Sequence, residues 1–176
     1  MRLFLLTMRF AVLFAAELKP GDTLPELKGE CLTGKEAVLP AAAKGKVALL
    51  ALGFSYDSRF PVEAWIKRFR ADFGANPEVT FYEVPMIGGL GAMGKWFIGS
   101  GMRRGTPKAD HEHVITVYGG KVGGWKDRLK PQSDKEACVI LVDAAGVVRW
   151  RFNGMFDEAA YKTLAAQMAA LLKKDS

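Results

Sequence analysis

At 176 residues, with 49% hydrophobic, 25% charged and 11% aromatic side chains, the chain can bury one sizeable core. That composition excludes a disordered segment and a multi-span membrane protein. The net charge of +6 favours anionic partners over cationic ones, and two cysteines, Cys31 and Cys138, are too few and too far apart for a disulfide framework.

Residues 1–16, MRLFLLTMRFAVLFAA, place Arg2 ahead of an apolar stretch ending in Ala15 and Ala16, the pattern of a secretory signal or a membrane-tethering segment. Arg9 interrupts it, and what remains is shorter than the roughly 20 residues of a spanning helix. An extracytoplasmic or membrane-associated location is therefore expected, with a single domain over 17–176. Residues 18–40 space Gly and Pro closely around brief apolar runs, which predicts an extended entry and a hairpin. The continuous apolar run 46–54 predicts a strand covered on both faces.

The next stretch, GFSYDSRFPVEAW at 53–65, passes from that strand through a polar turn into a helix. Val62, Trp65, Ile66, Phe69 and Phe73 recur at helical spacing, Pro61 suits a first turn, and Gly74 is placed to end the helix. Residues 79–84 predict a strand that stops at Pro85. Further strands are expected at 113–118, 138–142 and 147–152, the last two joined by a turn at Asp143 and Gly146. Tyr161, Leu164, Met168 and Leu171 predict a closing helix over 157–174. This order implies one α/β domain, a mixed central sheet flanked by helices. Between the strands at 79 and 138 lies a Gly-rich, basic insertion, 86–131, which holds eight basic residues against three acidic ones.

Several features bear on chemistry. Ser55, Asp57 and Ser58 stand where a helix begins and read as capping residues. Cys31 and Cys138 read as small core residues, with a bridge between them or a reactive thiol as alternatives. His111 and His113 are two apart, so on a strand they would face the same way, and Asp110 or Asp127 could complete a metal site. Ser55, Asp57 and a histidine could in principle imitate a hydrolase triad, although the Gly-x-Ser-x-Gly elbow is absent. GGKVGG, 119–124, fails the phosphate-loop pattern and reads as a flexible hairpin or loop.

The entry GDTLPELKG, the strand, turn and helix around Ser55, and the ending ILVDAAGVVRW before a helix resemble the thioredoxin-like superfamily, on its peroxiredoxin and thiol-oxidoreductase side. Within it, FSYDSRFPVEAW, KWFIGSGMRRGTP and ILVDAAGVVRW are similar to the mitochondrial ATP synthase assembly-factor family and its bacterial relatives. The resemblance implies a thioredoxin-like fold. It also implies that the turn at Ser55 and Ser58 is the place of a Cys-x-x-Cys pair, and that a cis-proline of redox members would fall at or near Ala137. A helix-start thiolate shuttles electrons; a serine hydroxyl does not.

The resulting expectation is a redox-inactive binding or assembly protein, a chaperone-like helper in maturation of a membrane complex such as ATP synthase. No cofactor is called for, and the oligomeric state is not legible. Tyr56, Asp57, Arg59, Trp96, Arg103 and Arg104 are the expected partner contacts. Two alternatives stand beside this: a single-cysteine oxidoreductase or peroxidase using Cys31 or Cys138, and a peripheral lipid-binding domain touching anionic membrane through the basic insertion. A third use of that segment is as a lid with Trp96 and Phe97 in the core. Nucleic acid ranks last as a partner, because no stacking motif or recognition helix accompanies the charge.

Overall fold

The structure, a computed structural model, describes residues 16–89 and 91–173; the signal or tether expectation for 1–16 falls outside it but for Ala16. Eleven longer elements follow one another: β1 (Leu27–Cys31), β2 (Glu36–Leu39), β3 (Val47–Gly53), α1 (Arg59–Phe73), β4 (Val79–Ile87), α2 (Ala92–Gly105), β5 (Ile115–Tyr118), α3 (Lys121–Leu129), β6 (Ala137–Val142), β7 (Val148–Gly154) and α4 (Glu158–Leu172).

The strands form one mixed sheet in the order β2-β1-β5-β4-β3-β6-β7. β3 lies between β4, parallel to it, and β6, antiparallel. All seven β3 residues are buried, because alternate side chains feed two separate cores. Leu50 and Leu52 join Ile140, Trp125 and Leu129 on the face covered by α3. Leu49 and Ala51 join Trp65, Phe69, Leu164 and Met168 on the face covered by α1 and α4. Trp65 anchors the second core, fully buried with the rings of Trp150, Phe152, Phe156 and Tyr161 all around it.

Three expectations change here. β4 runs through Pro85 to Ile87 instead of stopping at the proline. Pro85 pairs with Gly53 of β3, while the β4 and β5 ladder is interrupted between the Glu83 bridge to Val114 and the pair Met86 and Val117. The imino nitrogen thus sits where no donor is demanded. Second, 119–124 is not a hairpin: it turns at Gly119 and opens α3, whose Val122, Trp125 and Leu129 close the core. Third, 86–131 is more than an insertion, since it contributes β5 between β1 and β4.

Candidate functional site

β3 ends at Gly53, and the chain turns back within five residues to begin α1. A Cβ on Gly53 would lie 2.5 Å from the Ser58 hydroxyl, so the turn closes this tightly only because that position carries no side chain. Ser58 is 1% exposed. Its hydroxyl donates to the Ser55 carbonyl at 2.7 Å and accepts the Ser55 N–H at 3.1 Å. The Ser55 hydroxyl accepts the Ser58 N–H at 3.2 Å and donates to the carbonyl of Asp134 at 2.7 Å. Both hydroxyls therefore spend their proton on a carbonyl and a lone pair on an amide, a reciprocal arrangement of the capping-box kind.

The two serines thus lock the turn ahead of α1, but Ser58, the N-cap of that helix, makes no side-chain capping bond to it, and Asp57 pairs with Lys135 at 3.2 Å. Lys126 and Asp134, 2.6 Å apart, hold the 130–136 loop in place beside the turn. Ala137, the position of the expected cis-proline, is buried in β6 and pairs with Gly53. The hydrolase triad is not assembled, since neither histidine meets Ser55: His111 Nε2 bonds the Thr106 carbonyl and His113 Nδ1 the Phe81 carbonyl, each at 3.0 Å.

The metal expectation fails for the same reason. His111 and His113 lie in a turn before β5, not on the strand, so residues two apart do not share a face there. His113 stacks on Phe81, with ring centroids 4.6 Å apart. Asp110 is committed to Arg70 at 2.8 Å and Asp127 lies on α3. Among the described residues no three potential ligands converge.

Neither thiol replaces the missing pair. Cys31 and Cys138 are free and buried. They lie on β1 and β6, separated by β5, β4 and β3. Four strand spacings, about 19 Å, rule out the bridge considered from sequence. Burial raises the Cys31 thiol, helped by Glu112, and pushes Cys138 up to about 12. Such thiols stay protonated and poorly nucleophilic near neutral pH.

Beside the turn is a small cavity of about 70 Å³ lined by Gly53, Ser55, Ser58, Arg59, Val62, Glu63, Glu83 and Pro85. It is far below the roughly 300 Å³ at which small-molecule sites begin. Glu83 stands in it with its carboxyl pushed up to about 7, first by burial and then by Glu63 and Asp110, with Arg70 opposing. The clue to Glu83 is a lone carboxylate in the apolar run VTFYEVPMI, on the same side as Val79 and Phe81.

Outside the cavity the surface is aromatic and cationic. Arg59 lies 4.3 Å from the Tyr56 ring centroid and 4.5 Å from that of Phe60. Tyr56 is 74% exposed and Phe60 54%. Phe60 was not among the expected contacts; it lies off the Val62, Trp65 and Phe69 stripe, and that offset is its sequence signal. Trp96, Arg103 and Arg104 sit on α2. Trp96 and Phe97 are 67% and 69% exposed, so the lid reading with both in the core is overturned. Among the described residues, no hydrogen bond, ion pair or ring contact joins α2 to the turn. No helix among them is long and apolar enough to cross a membrane.

No protein-family model and no curated protein matches the chain. Solved structures do. The thioredoxin domain of a thiol-disulfide oxidoreductase from Bacteroides vulgatus is 17% identical, with 85% of this chain and 98% of that one covered and a TM-score of 0.60. BsSco, a member of the Sco family of cytochrome c oxidase assembly proteins, is 13% identical over 88% and 97%, with a TM-score of 0.59. A thiol peroxidase from Chromobacterium violaceum is 15% identical over 89% and 91%, with a TM-score of 0.55. At these identities the likeness establishes one thing: the chain has the thioredoxin-like fold.

Proposed function

We propose that this chain is a redox-inactive thioredoxin-fold binding protein that assists maturation of a membrane complex outside the cytoplasm, gripping its partner with the surface formed by Tyr56, Arg59 and Phe60. The observation that carries the reading is the closed hydrogen bonding of Ser55 and Ser58, which puts a structural lock where an electron-shuttling pair would stand. An Arg held between two exposed aromatic rings is a preordered contact patch that loses little side-chain freedom on binding. The proposal takes its class of complex from the sequence resemblance to ATP synthase assembly factors, and BsSco, a member of a family of cytochrome c oxidase assembly proteins, is a precedent for assembly work on this fold. The apolar sequence of residues 1–16, read as a secretory signal or tether, supports the location.

The test has two arms. Purified protein is assayed for insulin reduction and peroxide consumption, beside a variant with Cys31→Ser and Cys138→Ser; no turnover is expected from either. Photo-crosslinking residues placed at Tyr56 and Phe60 are then expected to capture a subunit of a membrane complex in native membranes. Turnover that disappears in the serine variant overturns the proposal in favour of a single-cysteine enzyme.

A further inference from the structure

α2 is a helix that the rest of the chain does little to hold. Its sequence, AMGKWFIGSGMRRG, contains Gly94, Gly99, Gly101 and Gly105, each a poor helix former. Close packing does not require Gly101 or Gly105, where a Cβ would meet nothing within 4 Å, and at Gly99 the nearest atoms a Cβ would meet belong to the Arg103 side chain at 3.5 Å or more. Three of its large side chains stay outside, Met93, Trp96 and Phe97 being 84%, 67% and 69% exposed, while Ile98 and Met102 are half-buried. The three exposed residues stand at i, i+3 and i+4, so they form one outward stripe, which Gly101 and then Arg104 continue toward the C-terminus.

The charge on this helix is of one sign. It carries Lys95, Arg103 and Arg104 and no acidic residue. Among the described residues neither these three nor the following Lys108 is in an ion pair. Lys95 is 5.0 Å from the Tyr118 ring centroid, and Arg104 Nε reaches the Ser100 carbonyl at 3.3 Å. A helix with an exposed Trp and Phe and Lys95 in its N-terminal half, Arg103 and Arg104 in its last turn and no acidic residue is matched by a surface that offers both apolar depth and anionic groups. An anionic lipid interface has both; Trp settles at headgroup depth while Arg reaches the phosphates.

We infer that α2 is the membrane-contact element of this protein, docking on an anionic bilayer with Met93, Trp96 and Phe97 of its N-terminal half inserted and Arg103 and Arg104 of its last turn at the phosphates. This goes beyond the partner reading and does not depend on it, because it uses α2 and not the turn at Ser55 and Ser58.

The test is amide hydrogen exchange of the full chain with and without protein-free vesicles. α2 amides are expected to slow by about tenfold with vesicles containing phosphatidylglycerol at low ionic strength, and to be unchanged with pure phosphatidylcholine. Changing Arg103→Gln with Arg104→Gln is expected to weaken partitioning about thirtyfold. Trp96→Ser with Phe97→Ser is expected to abolish the α2 slowing without altering thermal unfolding, since both side chains are exposed. Slowing that is equal on neutral vesicles, confined to other segments, or seen only when membrane proteins are added overturns the proposal.

Discussion

The Ser55 hydroxyl accepts the Ser58 N–H at 3.2 Å while the Ser58 hydroxyl accepts the Ser55 N–H at 3.1 Å, so each residue caps the other. Removing the buried partner leaves the Ser55 N–H without its acceptor. Ser58→Ala is expected to cost about 1 to 2 kcal/mol, read from urea unfolding midpoints. Gly53→Ala is also expected to destabilise the fold, by about 1 to 3 kcal/mol, through the 2.5 Å approach to the Ser58 hydroxyl. Because that oxygen is absent in Ser58→Ala, the double variant should lose less than the two single losses combined. Strict additivity would mean that the two residues do not meet as described.

The thiols should be inert. With Cys138 pushed up to about 12 and Cys31 raised by burial and Glu112, neither should react appreciably with a disulfide reagent at pH 8 before unfolding. Both should react at once in denaturant. Rapid modification of one thiol in the native protein would reopen the single-cysteine reading.

Glu83 sets a pH dependence. Its ordinary value is 4.5 and in the fold it is raised to about 7, so the native state holds this proton more tightly than the unfolded chain does. The contribution is complete below pH 4.5, decays as pH rises through the window to about 7, and is gone above it. The loss is at most about 3 kcal/mol. Glu83→Gln should flatten the stability profile across that window and be the more stable protein at pH 8. A profile in the variant that still falls between pH 5 and 7 would assign the titration to another group.

The Tyr56, Arg59 and Phe60 patch should separate stability from binding. All three residues are exposed, so changing Tyr56 and Phe60 to alanine should alter unfolding by no more than about 0.5 kcal/mol each. If the patch grips the partner, recovery of the crosslinked or co-purified complex should fall at least about tenfold. Unchanged recovery would remove this surface from the interface.

Much was legible in the sequence because helices and strands write their buried faces into residue spacing. Trp65, Ile66 and Phe69 announced α1, the run around Leu49 and Leu52 announced β3, and Leu164 and Met168 announced α4. The substitution of hydroxyls for thiols at the strand-to-helix turn was equally plain, since it depends on residue identity alone. What spacing does not encode is the meeting of distant residues. The Ser55 bond to the Asp134 carbonyl joins positions 79 apart, and it exists only because β6 lies against β3. In the same way, sheet order set Cys31 four strands from Cys138, the turn before β5 sent His111 and His113 to different carbonyls, and the two-core packing left Trp96 and Phe97 outside. Local periodicity determines which way a side chain points along its own element. Only the assembled sheet decides what, if anything, stands opposite it.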